Sequence, residues 1–220
     1  MRHQASYWIR YQNQFIILPH LYLVNEIDNR RFFDPDVENQ FIIHSRLHFK
    51  RGKWDIGGGL TASAVYTQKP EDGIDHSTFE LRPVAEVTYE QLLGRVLFQG
   101  RMRIDNRIFE QQADGSIWDD SYYVFRIRFR PQFRIPIKTS AGGIPQIGLR
   151  LGGEIMLNGS KNTFDQCRLY ASFDFYLNKN FSLETGYLYI YQQRLGQEEF
   201  YSRNVVRFSL LHRIARKLKV

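Results

Sequence analysis

The 220-residue chain has one cysteine, Cys167. An internal disulfide needs two and a cysteine-based zinc site needs more, so both are excluded and redox compartment is undetermined. Its apolar neighbours of like parity mark Cys167 as inert packing rather than a reactive thiol. Long apolar runs are also missing. The longest uninterrupted aliphatic or aromatic stretch is about four residues, Phe15 to Leu18, against about twenty for a membrane-spanning helix. Helical periodicity is almost absent. The opening MRHQASYW lacks the apolar region of a secretory signal, so an exported protein would be represented here by a mature or truncated form. No Pro/Ser-rich linker, low-complexity tract or composition shift marks a boundary. The expectation is a single domain over residues 1–220, with about 1–19 a lead-in segment or first strand and 214–220 a basic tail.

Period-2 alternation dominates what is present. In YYVFRIRFRPQFRI, residues 122–135, Tyr123, Phe125, Ile127, Phe129 and Phe133 share one parity, and Arg126, Arg128, Arg130 and Arg134 share the other. Side chains of a strand point alternately to its two faces, so this strand has an apolar wall and an arginine wall. Similar patterns place strands at about 7–14, 20–32, 37–50, 53–67, 77–90, 94–109, 120–134, 145–158, 164–177, 181–193 and 200–213. Most are more than twice the length of an average globular strand, about 5–6 residues. Short connections (Arg51-Gly52, Gln91 to Leu93, Asn178 to Asn180) alternate with long polar ones at 68–76, 110–119 and 194–199. Ile135 to Ile144 reads as a long connection on the side expected to be short. The fold class read from this is all-β: an antiparallel up-and-down transmembrane β-barrel of 10–12 strands. Eleven segments sit awkwardly with the even number usual for such barrels, and favour ten with a lead-in or twelve with one merged pair.

The two faces can be followed along the chain. One carries Trp54, Ile56, Leu60, then Phe79, Leu81, Val87, then Met102 and Ile104, and continues through Leu149, Leu151, Leu169, Phe173, Tyr187, Val206, Phe208 and Leu210 without a charge. The other carries Glu80, Arg82, Glu86, Arg101, Arg103, Asp105, Arg107, Arg126, Arg128, Arg130, Arg150, Glu154, Arg168, Asp174, Glu184, Arg203 and Arg207. A cation at the midplane of a lipid-facing strand costs about 2–4 kcal/mol, so a charge-free wall suits lipid and the charged wall becomes a lumen. Tyr66, Tyr89, Trp118, Tyr122, Tyr123, Tyr187, Tyr189 and Tyr191 fall near strand ends, where interface girdles belong. The inverse, a soluble lipocalin-like ligand-binding barrel with an apolar interior, is the alternative, but ten to twelve strands enclose too wide a space for one apolar face to fill.

Other chemistries fare poorly. Net charge is +7 and pI about 9.5, which first points to nucleic acid or anionic lipid. Arginines and aromatics lie on opposite walls, however, so bases could not stack beside contacted phosphates, and no nucleic-acid partner is expected. His44 and His48 share a parity but stand over about 12 Å apart along a strand, too far for one metal. His76 and Ser77 beside Asp72 and Asp75 form a loop cluster that falls short of a nucleophile–base pair. Gly57-Gly58-Gly59 precedes no helix, so it reads as a bulge or a close backbone approach, not a phosphate loop.

Several short pieces carry a resemblance: Glu80-Leu-Arg82, Arg101-Met-Arg103-Ile-Asp105-Asn-Arg107, Arg126-Ile-Arg128, Glu154, Phe164-Asp-Gln-Cys-Arg168-Leu-Tyr170 and Glu184-Thr-Gly-Tyr187. In this order and spacing, the chain resembles a family of uncharacterised outer-membrane β-barrel proteins common in Bacteroidetes, a domain of unknown function. The resemblance implies location and architecture, and brings no catalytic residues. Barrels of this kind usually end on an aromatic residue, whereas this chain runs past Phe208 to RIARKLKV. The expectation is a porin-like barrel of the Gram-negative outer membrane, not an enzyme, without cofactor or metal. Its lumen would be lined and plugged by arginine–carboxylate pairs. Its partners would be the lipid bilayer and, in a complex-subunit role, other envelope proteins. A small anion-biased channel is the runner-up, with any small-molecule or anion ligand unknown.

Overall fold

The computed structural model describes residues 2–66, 77–110, 121–140, 142, 144–159, 162–193 and 198–215. Eleven strands form one closed barrel: β1 (Arg2–Leu18), β2 (Leu21–Phe32), β3 (Glu38–Arg51), β4 (Trp54–Val65), β5 (Thr78–Leu93), β6 (Val96–Glu110), β7 (Ser121–Thr139), β8 (Pro145–Asn158), β9 (Phe164–Tyr176), β10 (Phe181–Gln193) and β11 (Phe200–Ala215). Each pairs antiparallel with its chain neighbour. The barrel closes where β1 meets β11 in parallel, in unbroken register from Arg2↔Tyr201 to Ile16↔Ala215.

The strand number corrects the expectation of ten or twelve. Nothing is merged and β1 is no lead-in, because both its edges are paired, to β2 and to β11. An up-and-down sheet with an odd number of strands can close only through a parallel pair, and closure satisfies the backbone groups that an edge would leave open. The parallel seam also puts the start of β1 and the end of β11 at opposite ends of the barrel.

One end carries tight turns. Pro19-His20, Gly52-Lys53 and Gly94-Arg95 each join two strands, and Gly52 and Gly94 take the positive φ of +60° that such turns demand. The turn read at Gln91 to Leu93 therefore lies further on, since β5 continues to Leu93. The long connection read over Ile135 to Ile144 is also shorter than expected. β7 runs on to Thr139, and Ser140 N–H bonds to the Ile144 carbonyl at 2.8 Å. The long polar loops at 68–76, 110–119 and 194–199 lie largely outside the described residues, as do His76 and Trp118.

Alternation sorts the side chains. The outer wall exposes large apolar groups around the barrel, among them Ile9, Ile43, Leu60, Met102, Phe125, Phe129, Leu151, Leu169, Phe173 and Phe208. Charged groups point inward, so an apolar interior of the lipocalin kind is not what this barrel has. Rings meet near strand ends, as in Trp54 with Tyr89 at 4.9 Å and Tyr7 with Phe33 at 5.1 Å. Tyr122 departs from the expected girdle: it lies on the inward parity and stacks on buried Phe109 at 4.8 Å. One polar streak crosses the outer wall of β1–β3, where Ser45 Oγ donates to Asn25 Oδ1 at 2.8 Å and Asn25 Nδ2 to Asn13 Oδ1 at 3.1 Å.

Gly57-Gly58-Gly59 lies within β4 with no register shift against β3 or β5, so the bulge reading gives way to close approach. A Cβ on Gly57 would stand 2.6 Å from the His48 ring, and one on Gly59 2.0 Å from the Ser45 carbonyl oxygen.

Candidate lumen site

The inward residues of neighbouring strands face one another across a narrow space, and long arginine side chains suit it because their forked donors reach two acceptors at once. Glu80, fully buried, accepts from both Arg82 Nε and Nη2 at 2.6 Å and also from Arg107. Asp105, equally buried, accepts from Arg128 Nε at 2.5 Å, Arg103 Nε at 2.8 Å and Arg126 Nε at 3.3 Å. Arg126 also reaches past β8 to Asp165 of β9 at 2.9 Å. Arg150 bridges Asp174 at 2.6 Å and Glu184 at 3.1 Å, and Glu184 also takes Arg207.

A further set of pairs joins into a circuit around the lumen. Glu26 of β2 meets Arg46 of β3 at 3.5 Å, and Arg46 meets Glu86 of β5 at 3.9 Å. Glu86 meets Arg101 of β6 at 3.4 Å, and Arg101 reaches Glu154 of β8 at 2.8 Å. Glu154 meets Arg168 of β9 at 3.4 Å. The Arg168 guanidinium lies 5.4 Å from the Trp8 ring of β1, whose face also takes Arg30 at 4.0 Å. Asp28 then links Arg30 at 2.9 Å to Arg10 at 2.8 Å, and Arg10 returns to Glu26 at 3.4 Å. Trp8 packs with Leu188, Ile190 and Val205, so the one apolar cluster of buried residues among those described sits inside the charged lumen at the seam.

All seventeen residues read as a lumen charge network face inward. Glu80, Asp105 and Asp174 lie against the wall beneath arginines, and the other fourteen border a cavity of about 880 Å³. Sequence reading missed Arg10, Glu26, Asp28, Arg30, Asp55 and Asp165 as lumen groups, and Trp8 as the aromatic element. The even positions of β1 (Trp8, Arg10, Gln12, Gln14) carry the same signal as the later strands, and β1 as a full strand supplies the parity that a lead-in would not.

The histidines are separately engaged. His44 shares a hydrogen bond of 2.5 Å with Thr61 Oγ1. His48 stacks on Tyr22 at 5.0 Å, with Nδ1 2.9 Å from Asp55 Oδ1 and Nε2 3.4 Å from Glu86, while the Tyr22 hydroxyl donates to Asp55. No cluster of three or more metal-ligating side chains occurs among the described residues. Outside the wall, Asp36 between β2 and β3 accepts from Arg31 Nε at 2.8 Å and the Tyr7 hydroxyl at 3.0 Å, and these bonds hold its carboxyl below the ordinary range.

A family model described as "Protein of unknown function (DUF2490)" matches residues 5–201. The chain belongs to that family. The match runs from β1 into the start of β11 and so spans nearly the whole barrel. No curated protein and no solved structure gives a significant match.

Proposed function

We propose that this DUF2490 member is an integral outer-membrane barrel whose lumen is closed by ion pairs, with a structural or complex-subunit role. The observation that carries the reading is the outer wall. Soluble proteins rarely expose apolar patches beyond a few hundred Å². Here Phe125, Phe129, Leu169, Phe173 and their neighbours go round the barrel, while the charges turn inward. Lipid is the solvent such a wall fits. The circuit through Glu86, Arg101, Glu154, Arg168 and Trp8 supports a closed rather than a conducting interior. The role is non-catalytic on this reading, with the bilayer and other envelope proteins as partners.

A second reading, a small anion-biased channel, draws on the surplus of arginine over carboxylate in the lumen. The Trp8 cluster and the ring of pairs weigh against it. Refolding in detergent and comparing boiled with unboiled samples on a denaturing gel tests the location. A closed membrane barrel migrates differently before and after boiling. A chain that shows no shift and stays soluble without detergent would overturn the membrane assignment.

A further inference from the structure

Along β7, from the arginines held by Asp105 toward the tight turns, the charge balance changes. Arg130 and Arg134 of β7 point into the lumen, and among the described residues neither makes a salt bridge or a side-chain hydrogen bond. The Nε atoms of both are buried without a partner. Arg130 lies across from Arg101 in the β6–β7 register, and Arg134 across from Arg150 in the β7–β8 register. Both of these neighbours already spend their forks on carboxylates, Arg101 on Glu154 and Arg150 on Asp174 and Glu184. Two cations are therefore left over, each beside another cation.

The groups between them are neutral and polar. Tyr170 Oη donates to Gln132 Oε1 at 2.9 Å, Gln132 Nε2 donates to Gln99, and Gln99 Nε2 in turn is taken by Glu90 of β5. Gly152 makes room for this: a Cβ there would lie 2.5 Å from Tyr170 Oη. Arg134 also borders a second cavity of about 310 Å³ with Asn178, Lys179 and Asn180 of the β9–β10 turn, so the space leads to the tight-turn end. Buried guanidinium donors with no acceptor are costly, and an oxyanion satisfies several at once.

We propose that Arg130 and Arg134, with Gln99, Gln132 and Tyr170, form a binding chamber for a small water-borne solute bearing a phosphate or carboxylate group, entered from the tight-turn end. The chamber lies inside the wall, away from the apolar outer face, which makes a dissolved solute rather than a lipid its occupant. The inference rests on the closed-lumen reading, because a dead-end chamber retains a ligand that an open pore would pass.

The test is calorimetric titration of the refolded barrel with inorganic phosphate and with citrate, at constant ionic strength and in a phosphate-free detergent. A barrel that is soluble without detergent is titrated in buffer, since the lumen is the same. Saturable binding of either anion is expected. It should weaken about tenfold or more in the double variant Arg130→Gln, Arg134→Gln, as loss of charge-assisted bonds requires, and stay unchanged in Arg31→Gln, which lies outside the lumen. The double variant should keep its unboiled gel position, because removing cations that hold no carboxylate strands no partner. Absence of saturable binding to both anions in a folded barrel overturns the proposal, as does binding that survives the double substitution. A conducting barrel that still binds at this pair would overturn the closed lumen alone.

Discussion

Toward the long connections, Asp105 holds three arginines and Glu80 holds two, whereas toward the tight turns Arg130 and Arg134 hold no carboxylate. The same residue type thus has two roles in one lumen. Where each carboxylate is shared among guanidiniums from adjacent strands, arginine ties the wall together and fixes which strands face one another. Where the nearby carboxylates are already held by other cations, as Asp174 and Glu184 are by Arg150 and Arg207, arginine is a donor awaiting an acceptor. Desolvating an ion pair offsets much of its attraction, so the paired half contributes specificity of arrangement more than net stability.

The comparison can be broken by removing its anchors. Asp105→Ala strands Arg103, Arg126 and Arg128 in the interior and should cost about 3–5 kcal/mol, the scale for deleting one partner of a buried pair, measured by urea unfolding of the refolded barrel. Phe129→Arg puts a cation on the apolar outer wall near the middle of β7 and should cost about 2–4 kcal/mol in lipid, seen as lost assembly into vesicles. In a soluble barrel the same exposed change would be nearly silent. Gly152→Ala forces a Cβ to within 2.5 Å of Tyr170 Oη and 2.8 Å of the Pro131 carbonyl oxygen. Overpacking of this kind costs about 1–3 kcal/mol, and Tyr170→Phe should relieve only part of it, because the Pro131 backbone stays. Arg130→Met should change stability by no more than about 1 kcal/mol, since the half-buried cation it removes holds no carboxylate. Asp36→Asn, outside the wall, should have the smallest effect. The bonds from Arg31 and Tyr7 lower the Asp36 carboxyl, so its contribution is present above the ordinary carboxylate range and fades as pH falls through the lowered one.

Alternation made the barrel and its charged wall legible. From Trp54 to Leu210 the outward parity holds apolar side chains and the inward parity holds the arginines and carboxylates, because a strand leaves each residue only two directions. Strand number was less legible. The even-number expectation is a habit of known barrels, whereas the β1–β11 pairing depends on long-range register that no local pattern encodes. The partners of each arginine were also out of reach. Arg101 meets Glu154 across an intervening strand, and Arg126 meets Asp165 likewise, contacts set by barrel curvature rather than by neighbouring sequence. Arg134 was read as inward, but its lack of a carboxylate appears only once every other pair has been assigned.

The closed lumen is the central claim, and ion conductance tests it most directly. The refolded protein would be inserted into planar bilayers, with insertion verified by the heat-sensitive gel shift of protein recovered from matched vesicles. The account predicts membranes that contain the barrel and carry no steady current beyond that of the bare bilayer. Steady unitary conductance with anion preference would contradict it, and would make the arginine wall a pathway instead of a seal.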